Sequence, residues 1–330
     1  MKKKVLQQIL LITITTFTLL GVTGCGNNLG SSTGEAQLTT QASENTANTA
    51  SENDIIQNIS TTSESQEFAV YGDVVVKVSQ ADLNTEFDEN ADTLIQIQGS
   101  VVDITGEGAT VSGNQVVINR EGTYVISGEL ADGQICINVS DNEKVHLILN
   151  NATLSCSTSA PIYCVNADKL ILTLADGSVN TIYDGYAYLD EAVKGCIYSA
   201  CDLTINGNGS LTVTGNYNNG ISCKDDIKIL GGTLNVSAVN NGIKGNDSIS
   251  IFGGDITVQG DDGLKSDNEE LDKGFLFING GTVRITADDD AMQTTNAVIL
   301  SGGTIYARYL DTLIQCDGTV QGEDSVLSWM

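Results

Sequence analysis

Between residues 260 and 293 the chain reads GDDGLKSDNEELDKGFLFINGGTVRITADDDAMQ, nine carboxylates from Asp261 to Asp290 against Lys265, Lys273 and Arg284. Carboxylates this close repel one another unless solvent, salt or a bound cation offsets the repulsion. Calcium, a hard cation that takes about six to eight oxygen ligands, suits such a stretch. The candidate ligands are Asp261, Asp262, Asp289 and Asp290. Asp267, Glu269 and Asp272, with Glu270, come from the middle of the stretch and are placed to complete the shell. The plain alternative is an acidic loop spread into water.

The elements that must position these groups follow from a repeat. From about residue 190 the units CIYSACDLTINGNGSLTVTGNYNN, GISCKDDIKILGGTLNVSAVNN, GIKGNDSISIFGGDITVQGDD, GLKSDNEELDKGFLFINGGTVRITADDD and AMQTTNAVILSGGTIYARYLDT succeed one another. Paired glycines recur at Gly231-Gly232, Gly253-Gly254, Gly280-Gly281 and Gly302-Gly303, spaced 22, 27 and 22 residues, the long interval holding the acidic insertion 266–274. Each unit holds three stretches alternating with period two, the mark of half-buried strands, and none carries a helical period. Three short strands per turn, stacked on copies of themselves, predict an all-β parallel β-helix. Equivalent residues then lie about 4.8 Å apart, and Ile197, Ile221, Ile243, Leu264, Met292 and Ile314 stack inside. Residues 67–189 share the grammar less regularly and read as earlier, irregular coils of the same solenoid, followed by regular coils over 190–330.

Two columns bear on function. Pointing outward are Tyr198, Ser222, Lys244, Lys265, Gln293 and Gln315, flanked by small residues. A sugar chain on this strip meets hydrogen-bonding groups at rung spacing, with Tyr198 or Tyr217 to stack on a pyranose face. An ordinary solvated sheet face gives the same pattern. Before each small residue come Asn218-Asn219, Asn240-Asn241, Asp261-Asp262, Asp289-Asp290 and Asp311-Thr312. Stacked amides can hydrogen-bond from rung to rung. Where Asp replaces Asn, the stack needs a cation.

The formal charge of −27 over 330 residues excludes nucleic acid and anionic lipid as main partners. The first residues, MKKKVLQQILLITITTFTLLGVTGC, join three lysines, an apolar run and small residues before Cys25. This resembles a lipoprotein signal: residues 1–24 are removed, Cys25 is acylated, and the chain is anchored at the extracellular face of the bacterial cell membrane. Residues 25–66 then form a disordered tether, too polar to offset the entropy of ordering. Seven cysteines remain, with no CxxC pair, and read chiefly as small buried fillers. The single histidine, His146, alternates with inward Val145 and Leu147 and is expected to be exposed. A monomer is expected.

The strings EGTYVISGELADGQICINV, VHLILNNATLSCSTSAPIYCVNADKLILTLADGSVNTI, SLTVTGNYNNGISCKDDIKILGGTLNVSA and DDGLKSDNEELDKGFLFINGGTVRITADDDAM carry a resemblance over about residues 100–315. The chain resembles the clostridial carbohydrate-binding domain-containing family of secreted proteins. The resemblance implies a right-handed parallel β-helix like that of polysaccharide lyases, binding of polysaccharide such as cellulose or pectic acid, and calcium in acidic turns. A departure is the short stretch after the last repeat, ending at Met330 with little cap in view. The expected function is non-catalytic polysaccharide binding, with Tyr198, Tyr217, Lys244, Lys265 and Gln293 as carbohydrate contacts. The alternative is calcium-dependent β-elimination of a pectate-like chain, with Lys265 as base. Neighbouring carboxylates oppose loss of the Lys265 proton unless calcium offsets their field. A structural surface adhesin is the third reading.

Overall fold

The structure is a computed structural model that describes residues 35–39, 65–90, 92–322 and 326–329, with side chains over 65–90 and 92–322. The described chain is nearly all β, a parallel solenoid of about eight turns. A 10-stranded sheet, here the front sheet, takes one strand from each coil and adds an edge strand, Ala109–Ser112, antiparallel to Gln115–Ile118. From Gln115–Ile118 to Ile314–Cys316 its strands pair in parallel and in chain order. The rest of each coil belongs to a 17-stranded sheet that bends around the core, as in Asp226–Ile229 and Thr233–Ala238.

Parallel register makes each residue the neighbour of its equivalent one coil on, so a periodic sequence builds columns. Ile197, Ile221, Ile243, Leu264 and Met292 are in register and fully buried, as predicted, and Ile135 and Ile162 extend the column. Ile314, at the last coil, is half-buried. On the opposite sheet Leu203, Ile227, Ile249, Leu276 and Val298 form a second column, and Leu211, Leu234, Ile256, Val283 and Ile305 a third. Small residues fill the spaces left between columns. Cys156, Cys164, Cys196, Cys201 and Cys223 are buried free thiols, and Cys136 and Cys316 are half-buried.

The glycine pairs mark the bend between the two strands of the larger sheet. Gly281 takes φ +80°, and a Cβ there meets the Gly254 carbonyl oxygen at 2.8 Å. Backbone on one coil thus leaves no room for a side chain on the next. Gly281→Ala is expected to lower the unfolding free energy by about 1–3 kcal/mol, read as a lower urea midpoint with an unchanged slope. A shift below about 0.5 kcal/mol would show that the bend relaxes freely.

Residues 65–83 are not an early coil, which corrects the reading of 67–189 as solenoid throughout. Ser65–Tyr71 and Val74–Ser79 form an antiparallel hairpin followed by a short helix, Gln80–Leu83. The hairpin lies against the outside of much later coils. Its Phe68, Val70, Val76 and Val78 pack on Leu230, Phe252, Phe275, Phe277, Ala297 and Ile299, with the Phe68 and Phe252 rings 4.8 Å apart. That outward apolar ledge needs a cover, and alternation in 65–79 reveals strands but not their distant partner.

A polar latch completes the docking. Asp82 is fully buried and caps the helix with Ser79. Its Oδ1 accepts from Lys169 Nζ at 2.7 Å and Thr204 Oγ1 at 2.6 Å. Asn206 Nδ2 donates to the carbonyls of Asp82 and Asn84. Beyond the helix, Phe87 joins Leu94 over Val125, Ile148 and Ala175. His146, expected in solvent, is therefore buried, its Nε2 2.6 Å from Thr173 Oγ1. It does point outward from its strand, but this outer face carries a second layer. The solenoid proper opens with Thr93–Gly99, parallel to Gly122–Leu130.

The predicted signal segment, Cys25 and most of the tether lie outside the described residues. Within that tether, Glu35–Thr39 is a strand antiparallel to Thr304–Arg308.

Candidate functional site

The outward column of the front sheet exists in the predicted register: Tyr163, Tyr198, Ser222, Lys244, Lys265, Gln293 and Gln315 lie on successive rungs. It is not an open strip along its length. Residues 185–194 fold over its first rungs, where Tyr188, Val193 and Ala160 enclose Tyr198, which is only 6% exposed. Tyr198 meets Tyr163 edge-on at 5.5 Å, and what remains exposed of it lines the groove described next. Tyr217 stacks on Tyr188 at 4.2 Å, which occupies one of its faces. Tyr188 itself donates from its hydroxyl to Asp184 Oδ2 at 2.7 Å. Nothing periodic marks 185–194 as a cover, so the sequence pattern left out what packs on both tyrosines.

Where that cover ends, a groove of about 520 Å³ opens toward the acidic insertion. Lys194, Lys224, Lys244 and Lys273 line it, with Ser222 and Asn246 between them. Lys244 Nζ lies 2.5 Å from Asp267, and Lys273 bridges Asp247 at 3.2 Å and Glu270 at 3.3 Å. Among the described residues Lys194 and Lys224 have no ion-pair partner. Of these four lysines the column pattern identified only Lys244. Lys194, Lys224 and Lys273 stand on corners and loops, where no period marks them.

At the other end of the front strands the corner column runs Asn219, Asn241, Asp262, Asp290, Thr312. Asn219 Oδ1 accepts from Asn241 Nδ2 at 2.8 Å, the expected amide ladder. Asp262 Oδ1 accepts from the Asp290 backbone N–H at 3.3 Å, and Asp290 Oδ1 from that of Thr312 at 3.0 Å. The two aspartates thus continue the ladder as acceptors. Lys265 Nζ lies 2.8 Å from Asp262 Oδ2, an intramolecular counter-charge. Gln293 Nε2 reaches Asp290 Oδ2 at 3.4 Å and also contacts Gln315 Oε1.

Of the seven predicted ligands, Asp262, Asp289 and Asp290 place oxygens within 4.8 Å of one another. Asp262 and Asp290 are buried, and Asp289 is exposed. The Asp289 carboxyl is pushed above the usual carboxylate range by loss of solvent and by Asp290, Asp262, Asp311 and Asp261 around it. Asp261 lies beside Asp289, whose N–H donates to the Asp261 carbonyl at 2.8 Å. Asn241 Oδ1, one rung before Asp262, is a buried acceptor with no donor. Asp267, Glu269 and Asp272 are not part of this cluster. The insertion leaves after Leu264–Ser266, at the opposite end of that strand, some 10 Å away at about 3.3 Å per residue. Asn268 and Lys273 tie it to Asp247 there.

Residues 112–325 match the family described as "Carbohydrate-binding domain-containing protein". A protein of that name from Acetivibrio thermocellus is 39% identical over 221 residues, 65% of this chain and 77% of the relative. The polysaccharide lyase-like protein from C. thermocellum, solved as a gadolinium derivative, superposes with a TM-score of 0.69 at 37% identity. It covers 70% of this chain and 96% of its own. With the match spanning most of the solenoid, the chain belongs to the carbohydrate-binding domain-containing family.

Proposed function

We propose that the chain binds an acidic polysaccharide in the lysine-lined groove, at the cell surface, with calcium in the corner column. Family membership and the lyase-like fold support polysaccharide binding. The acidic class rests on one observation: in a chain of net charge −27 with fifteen Lys and Arg, four lysines converge on one groove that only two carboxylates, Asp225 and Asp247, line. Clustered ammonium groups attract carboxylates of uronate units and contribute little toward neutral cellulose. Lys265, one rung beyond Lys244, is held by Asp262 of the corner column, which leaves it a secondary contact and a poor candidate for the base of a β-elimination.

The donor set of the corner suits calcium. Three carboxylates and the partnerless Asn241 amide oxygen are hard oxygen ligands. A cation there would offset the repulsion that Lys265 alone leaves in part. Acylation at Cys25 anchors the domain, and tethering raises its effective concentration toward glycan near the cell.

The test is depletion of the protein by calcium-free pectic acid gel and by insoluble cellulose, with calcium and with chelator. Depletion by the pectic gel but not by cellulose is expected, without growth of unsaturated-uronide absorbance. Chelator is expected to lower the melting temperature, and Asp262→Asn with Asp290→Asn to remove that response. Equal depletion by cellulose rejects the acidic class. Absorbance that grows with time makes the protein a lyase, and depletion by neither polymer leaves a structural adhesin.

A further inference from the structure

Under the hairpin, on the side of the Asp247–Lys273 ion pair away from the groove, is a second cavity of about 460 Å³. Its size falls in the range of small-molecule sites, about 300–1,000 Å³. The hairpin strand Val74–Ser79 forms one wall, and the hairpin lies outside the family match at 112–325. One wall of this cavity is therefore built from residues beyond the family match, and the rest from residues within it. Four lysines line it against five aspartates, so its charge is close to balanced.

Its polar groups are incompletely used. Lys228 is 7% exposed, and its nearest anion, Asp202 Oδ2, is 3.9 Å away. Lys169 Nζ lies at the same 3.9 Å from Asp202. Both separations exceed the roughly 2.7–3.2 Å of a hydrogen bond. An ammonium carries three donors, and that of Lys228 opens on the cavity, where water or a ligand hydroxyl can accept from it. Asp202 stands one rung from Asp226, whose Oδ1 accepts from Ser248 Oγ at 2.6 Å. Burial holds the Asp202 carboxyl above its usual range, against the attraction of Lys228 and with repulsion from Asp226 adding to it. Lys228 thus offers donors and Asp202 acceptors, with a gap between them. Val74, Val75 and Phe275 supply an apolar wall.

We infer that this cavity is a second saccharide site, holding one neutral sugar residue with a hydroxyl shared by Lys228 and Asp202. A polyhydroxylated ring both donates to carboxylate and accepts from ammonium, and its C–H face suits the valine wall. A divalent cation is disfavoured by the lysines among these carboxylates. Among the described residues, the carboxylates that converge within one ion's reach are those of Asp262, Asp289 and Asp290. The inference does not depend on what the groove binds.

The experiment is saturation-transfer NMR and calorimetry of the whole chain with D-galactose, D-glucose, D-xylose, L-arabinose and L-rhamnose. At least one is expected to bind with a Kd of about 1 mM. Lys228→Met should weaken it at least about tenfold. Val75→Trp, at a position 41% exposed, should do the same by filling the cavity. Lys224→Met, in the groove, should leave it unchanged. Circular dichroism and melting check that each variant folds, and Val75→Trp decides if Lys228→Met does not. No binding up to about 10 mM of any of the five sugars overturns the inference. So does binding that survives Val75→Trp. Failure of pectic gel to deplete the protein counts against the groove alone.

Discussion

Asp82→Ala lowers the unfolding free energy by about 3–5 kcal/mol, because it leaves the Lys169 ammonium buried without its carboxylate. Asp82 is 0% exposed and the Lys169 side chain 10% exposed, so little solvent replaces the lost partner. The same change removes the acceptor for Thr204 and the cap of the short helix. Adding Lys169→Met should recover much of the loss, since the unpaired charge and not the missing bridge dominates the cost. Urea titration of the single and double variants measures both. A loss below about 1 kcal/mol for Asp82→Ala would mean that the hairpin is not latched there.

Acid should act through the same layer. Burial opposes ionisation of Asp82, but Lys169 and the hydrogen bonds around it hold the carboxyl at about 2, below 3.8. Its contribution, about 2 kcal/mol, is present above pH 3.8 and is lost as pH falls toward 2. His146 is depressed to about 4, chiefly by burial against the opposing charge of Asp92. Between pH 6.5 and 4 the unfolded chain binds its proton more tightly, so stability falls as pH drops through that window. Asp202 and Asp225, raised first by burial, act oppositely: they take up protons in the folded state before they would in the unfolded chain, which favours the folded state as pH falls. Asp82→Ala should therefore flatten the acid limb below pH 3.8 while the His146 step persists.

Lys224→Met with Lys244→Met reduces affinity for acidic oligosaccharide by about a hundredfold. Each ammonium makes a charged contact worth about 1.5–3 kcal/mol, and about 1.4 kcal/mol is a factor of ten. Binding by the unaltered chain should weaken with salt, because the groove is open and its charges are screened within about 10 Å at 0.1 M. Neither change touches the core, so the melting temperature should hold. A reduction of less than about threefold removes the groove from the binding site.

The inward columns were legible because alternation and repeat length are local properties. Once Ile221 and Ile243 face inward at matching positions, parallel pairing stacks them without further information. The corner ladder was legible for the same reason, and so Asp262, Asp289 and Asp290 came together as read. Tyr198 points as read and lines the groove, but its burial was not legible, because a columnar position states direction and not cover. Asp267, Glu269 and Asp272 were misread because closeness in sequence was taken for closeness in space, across a strand that separates its two ends.

By itself, then, the sequence determined the solenoid, the register of its columns and the carboxylate corner, each set by pairing between residues one repeat apart. Tertiary structure alone decided that residues 65–83 clasp coils lying some two hundred positions later. It also decided that residues 185–194 bury Tyr198 and that Lys194, Lys224 and Lys273 meet Lys244 around one groove. Those arrangements depend on which apolar ledge a segment covers and where a loop returns. Packing against distant surface settles both, and no period in the chain encodes it.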